Sequence, residues 1–133
     1  MQKSRNFEEK MLSFSQSKKD DEAMEKLQTI QEVTTFVREN HLVFLYVSQE
    51  DCSVCHVLQP KLTELLKKYP EIELREVEAH KVKEISAEYL IFSAPTMLFF
   101  VDGKEYIREG KFVQFKKLDA QIEHIYSHTK DSA

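Results

Sequence analysis

Leu42-Val43-Phe44-Leu45-Tyr46-Val47, continued by Ser48-Gln49-Glu50-Asp51-Cys52-Ser53-Val54-Cys55-His56 and Val57-Leu58-Gln59-Pro60, is the stretch around which the chain is organised. Its six consecutive apolar residues include two valines and two aromatics, the length and composition of a strand buried on both faces, so parallel-sheet neighbours are expected. Four polar residues, Ser48 to Asp51, close the run. Helical periodicity then takes over: Cys55, Leu58, Leu62, Leu65, Leu66 and Tyr69 recur at steps of three, four or one and form one apolar face. Cys52 therefore falls at or just before a helix start.

That placement bears on sulfur chemistry. The first N–H groups of a helix lack partners within it and carry the positive end of its dipole, so a thiolate at Cys52 is stabilised there. Cys55 lies about one turn further along, within reach of a mixed disulfide held by Cys52. A C-x-x-C beside a strand-helix-strand pattern points to a redox pair that cycles. Two buried structural thiols fit less well, because Cys52 stands in a polar turn. Cys52-Ser53-Val54-Cys55-His56 also matches the haem-attachment pattern C-x-x-C-H, but that chemistry needs export and space, and neither is indicated. A zinc site would draw on Cys52, Cys55, His56 and the distant His80 without a second clustered pair of ligands, so no metal is expected.

Composition is that of an ordinary globular domain. The 133 residues are 41% hydrophobic and 32% charged, with 19 Lys and Arg against 23 Asp and Glu. This length suffices for one domain with a core that needs no disulfide staples. The net charge of -4 gives no reason to expect nucleic acid as a partner. No apolar run approaches the ~20 residues needed to cross a bilayer, so no membrane partner is expected either. Met1 to Asp21 is interrupted by charge throughout, unlike a secretory signal, and a cytoplasmic protein is expected.

Outward from the central stretch, Ser4 to Ser17 has Phe7, Met11 and Phe14 at helical spacing with Ser4 as a candidate cap, an N-terminal helical extension over residues 1–23 ahead of a domain at 24–133. Glu25 to Gln28 begins the sheet as a short edge strand. Thr29 caps a helix from Ile30 to Glu39, with Glu32 as its capping-box partner and Val33, Phe36 and Val37 facing inward. Tyr69-Pro70 ends the helix that follows Cys52. Ile72, Leu74 and Val77 mark a strand among the charges Glu71, Glu73, Arg75, Glu76 and Glu78, and the alternation over Glu71 to Arg75 suggests one wetter side, toward a sheet edge. Glu84 to Leu90 is a short helix with Ile85, Tyr89 and Leu90 turned inward. Met97 to Val101 is a second buried strand, Asp102-Gly103 a hairpin turn, and Lys104 to Arg108 the antiparallel return. Phe112, Phe115, Leu118, Ile122, Ile125 and Tyr126 then recur at helical spacing. The order β-α-β-α-β-α-β-β-α predicts an α/β fold, a mixed sheet with helices on both faces.

Between about Glu25 and Ser127 the chain resembles the thioredoxins and thioredoxin-like proteins. Cys52-Ser53-Val54-Cys55 follows the buried strand, Pro60 lies where the family kinks its active-site helix, and Ala94-Pro95-Thr96 precedes Met97 to Val101 as the family's cis-proline loop does. The resemblance implies a thiol-disulfide oxidoreductase in which Cys52 attacks and Cys55 resolves. It also implies a substrate seated against Ser53, Val54, Ala94 and Pro95, with Ala94 pairing its backbone. Such exchange uses no cofactor. Its partners would be a disulfide-containing protein or small molecule and a cellular reductant that the sequence does not name.

Departures from the family's pattern matter as much. Thioredoxins proper carry a buried aspartate six residues before the first cysteine, where this chain has Tyr46, and a tryptophan directly before the motif, where it has Asp51. The lysine that partners the aspartate is also missing, with Leu74 or Arg75 nearest its place. A tyrosine cannot act as base near neutral pH, and Asp51 opposes a thiolate at Cys52. A weaker or more specialised reductant is therefore expected. The alternative is a non-catalytic thioredoxin-like module that binds partners through the proline loop and N-terminal helix. His56 is expected on the solvent side of its helix.

Overall fold

The structure, a computed structural model, describes residues 24–132. The helix expected over Ser4 to Ser17 lies outside the described residues. β1 (Lys26–Leu27) is followed by α1 (Ile30–Glu39), β2 (Leu42–Ser48), α2 (Ser53–Leu66), β3 (Glu73–Glu78), α3 (Ile85–Tyr89), β4 (Thr96–Val101), β5 (Lys104–Glu109) and α4 (Phe115–Ser132). The strands form one mixed sheet in the order β1-β3-β2-β4-β5.

β2 is the middle strand, and every one of its residues is buried. Because side chains alternate along a strand, Leu42, Phe44 and Tyr46 join Leu58, Leu62 and Leu66 of α2 and Leu118 and Ile122 of α4 on one face. Val43, Leu45 and Val47 meet Val33, Phe36 and Val37 of α1 and Ile85 of α3 on the other. Only one neighbour of β2 is parallel, namely β3; β4 runs antiparallel on its other side. An apolar run reports burial of both faces, and helices on both faces bury a strand whatever the direction of its neighbours.

β3 lies toward the edge as expected, with the two-residue β1 paired to it in parallel as the edge strand itself. Three further expectations are corrected. α2 ends at Leu66, before Tyr69-Pro70, and Lys67, Lys68 and Tyr69 donate to carbonyls three residues back in a tightened last turn. Around α3, Ile85 is buried and Tyr89 packs inward against Phe100, but Leu90 is 63% exposed in the left-handed conformation that caps the helix, and Val82 and Ile91 are buried in its place. Phe112 stands before α4 and is 85% exposed, so it packs no helix face.

Local signals elsewhere act as written. Thr29 accepts from the Glu32 N–H at 3.1 Å, although the Glu32 carboxylate reaches back to the Gln28 N–H, one residue before the cap. Asp102 and Gly103 both have positive φ, the pair a two-residue type I′ hairpin requires.

One contact between helices gives a pH-dependent stability. The Tyr69 hydroxyl and the Lys68 ammonium both reach the Asp119 carboxylate on α4, and Tyr69 packs edge-on against Tyr126 with ring centroids 5.0 Å apart. The Lys68 bond first and the Tyr69 bond second hold the Asp119 carboxyl below its usual range. A depressed carboxyl stabilises the fold above the unfolded value of about 3.9, and that contribution is lost as pH falls through the folded value. Asp119→Asn is expected to lower Tm by about 2–4 °C at neutral pH, a small effect because Lys68 is well exposed to screening solvent. The difference should close in acid, as thermal unfolding at both pH values would show.

Candidate active site

The C-terminal end of β2 feeds a short loop held on β3's side of the sheet. The Ala79 N–H donates to the Ser48 carbonyl at 2.8 Å, and the Glu50 N–H donates to His80 Nδ1 at 3.1 Å. Asp51 turns the chain with φ of 56°, a left-handed conformation that aspartate tolerates better than most residues. Cys52 is then the N-cap of α2, and its sulfur accepts the Cys55 N–H at 3.2 Å. That bond uses one of the donors left free at the helix start and would favour a thiolate at Cys52 in the reduced protein.

Cys52 and Cys55 are joined as a disulfide, their Cα atoms 5.3 Å apart. The two sulfurs differ in access, since Cys52 is partly exposed whereas Cys55 is 3% exposed and sits on the inward side of α2. Pro60 lies within the same helix, one turn past His56, and cannot donate to the His56 carbonyl. His56 is exposed. Among the described residues no three His, Cys, Asp or Glu side chains gather in a group able to hold a metal.

A groove of about 670 Å3 runs past the disulfide, lined by Gln49 to Val54 on one wall and by Ile91 to Ala94 with Lys111 on the other. Cys52, Ser53, Val54 and Ala94 thus share one cleft, while Cys55 and Pro95 are not among its lining residues. The Ala94–Pro95 peptide is cis, and Pro95 itself is buried. Exposed Phe92 lines this groove, and exposed Phe112 stands beside Ser93 and Ala94 in an adjoining hollow.

Near the disulfide the structure buries a carboxylate of β3. Glu76 is 6% exposed and accepts from Ser48 Oγ at 2.5 Å and Gln59 Nε2 at 3.0 Å. In the parallel register it stands beside Tyr46, whose hydroxyl donates to the Cys55 carbonyl at 2.6 Å. Burial, and then the nearby Glu76, push the Tyr46 phenol well above its usual range, so it remains a neutral donor. Glu76, rather than Leu74 or Arg75, is the β3 partner of Tyr46. The signal was present in the alternation, because Ile72, Leu74 and Glu76 fall on one face of the strand.

Relatives agree with this geometry. Residues 24–125 match the family model described as Thioredoxin. The thioredoxin-like protein YdfQ of Bacillus subtilis (strain 168) is 32% identical over 103 residues, which span 77% of this chain and 92% of that protein. A thioredoxin of Chlamydia trachomatis is 31% identical over 87 residues, 65% of this chain and 82% of its own. Among solved structures, oxidised mitochondrial thioredoxin 3 of Saccharomyces cerevisiae superposes with a TM-score of 0.69 at 21% identity, over 78% of this chain and 97% of that one, a likeness of fold. Fasciola hepatica thioredoxin gives 0.66 at 28% identity, over 76% and 98%. A cysteine pair at a helix start on a five-stranded mixed sheet, together with a family match over most of its length, places the chain in the thioredoxin family.

Proposed function

We propose that the protein reduces disulfides by dithiol exchange, with Cys52 as the attacking and Cys55 as the resolving thiol. The observation that carries this reading is the asymmetry of the pair: one sulfur is accessible in a groove and hydrogen-bonded by a helix N–H, and the other is buried behind it. Cys52 thiolate attacks one sulfur of the substrate disulfide, forming a mixed disulfide and releasing the other sulfur as a thiolate. Cys55 then attacks Cys52, the bond to substrate breaks, and the second sulfur leaves reduced. The protein is left oxidised by two electrons, and a cellular dithiol reductant returns it to the start.

The substrate chain lies along the groove, with Ser53, Val54 and the Ala94-Pro95 loop as its contacts and the Ala94 backbone as its hydrogen-bond partner. Disulfide-containing proteins are the proposed substrates. A pair that must be kept reduced between turnovers suits the cytoplasm. Cys55→Ser is expected to trap the mixed disulfide on Cys52, as a covalent adduct that dithiothreitol releases. With Cys52 shown to be alkylated readily, absence of any adduct with a reducible protein disulfide such as insulin would overturn the reading and favour a binding module.

A further inference from the structure

The resolving step needs a proton acceptor. Cys55 must lose its proton to become a nucleophile, and a buried thiol does so reluctantly. The Tyr46 hydroxyl is held as a donor to the Cys55 carbonyl and cannot take that proton.

A second cavity, of about 290 Å3, shares Gln49 and Glu50 with the groove; Cys55 and Glu76 both stand on its wall, with Ser48 and Gln59. A space of this size lined by such side chains has room for several waters. The two donors to the Glu76 carboxylate, Ser48 Oγ and Gln59 Nε2, are neutral and occupy only part of its acceptor capacity. Among the described residues Glu76 has no cationic partner, and burying a carboxylate without one costs stability. The other charged and titratable groups around the cavity are otherwise engaged or lie at its mouth. Lys26 from β1 pairs with Glu78 at 3.2 Å, and His80 Nδ1 receives the Glu50 N–H. His56, next to Cys55 on α2, is exposed, as is Glu50 in the loop.

We infer that Glu76 accepts the Cys55 proton, through water in this cavity, during the resolving step. The inference rests on the oxidoreductase reading above. As Cys55 attacks Cys52, its proton passes to the Glu76 carboxylate, the Cys52–Cys55 bond forms, the Cys52–substrate bond breaks, and the substrate sulfur departs as thiolate. Glu76 then returns the proton to solvent through the same cavity. A carboxylate on β3 thereby takes up a task for which β2 carries no acid, and Glu76 positions the proton path without touching substrate.

The test is stopped-flow reaction of the reduced protein with dithiobis-nitrobenzoate, which separates capture by Cys52 from the later release of dye as Cys55 resolves. Glu76→Gln is expected to leave capture unchanged and to slow resolution about 10- to 100-fold at pH 7, the gap narrowing as pH rises and hydroxide takes the thiol proton instead. Glu76→Asp, which keeps a carboxylate but withdraws it by one methylene, is expected to slow resolution only severalfold with the pH dependence of the wild type. Slowing by Gln that is equal at every pH, or none, overturns the inference while the function stands. Should the Gln variant not fold, the Asp variant decides, and resolution at the wild-type rate overturns the inference. A Cys52 that captures no dye in the wild type overturns the oxidoreductase reading, and the inference with it.

Discussion

Cys52→Ser is expected to abolish disulfide reduction, with turnover falling by about a thousandfold or more while the fold is retained. Serine at the same N-cap would still accept the helix N–H, so α2 should start where it does now. What disappears is the one partly exposed sulfur. A hydroxyl is far less acidic than a thiol and forms no disulfide, and Cys55, at 3% exposure behind α2, is unable to meet a protein substrate directly. The measurement is reduction of insulin with dithiothreitol as terminal reductant, corrected for the uncatalysed rate. Retention of a tenth of the wild-type activity would show that the accessible sulfur is not the nucleophile. Circular dichroism of the same sample separates a chemical loss from a structural one.

The largest stability loss is expected at Phe99. It lies fully buried in β4, stacked on Phe44 of β2 with ring centroids 5.6 Å apart, in the cluster that α2 and α4 cover together. Truncation removes the ring's contacts and leaves a cavity between a sheet and two helices that cannot close on it. Phe99→Ala is expected to cost about 3–5 kcal/mol, a large share of the roughly 5–15 kcal/mol that holds a domain folded. Urea unfolding should show a lower midpoint with an unchanged slope. A loss below about 1 kcal/mol would mean that this face of the sheet is packed more loosely than described.

Glu76 shows where reading along a chain reaches its limit. Its alternation with Ile72 and Leu74 puts it on the inward face of its strand, but a glutamate amid Glu73, Arg75 and Glu78 carries no local sign of burial. Its burial follows from register: Glu76 stands beside Tyr46, and Gln59, one turn after Cys55, comes down on it from α2. Neither neighbour is within fifteen residues in sequence. Phe112 erred in the opposite direction, an aromatic at helical spacing that falls before the helix and faces solvent near the groove.

By itself the amino-acid sequence determined the elements and their order, the two-sided burial of Leu42 to Val47, the helix start at Cys52 and the sulfur pair one turn apart. These depend on interactions within a few residues: alternation, helical period, caps and turn residues. Only the tertiary structure decided that Cys52 and Ala94 line one groove, and that the buried Glu76 carboxylate shares a cavity with Cys55. Those facts depend on which strands lie side by side and in what register, and register is set by the packing of both sheet faces at once, which no local stretch of the chain contains.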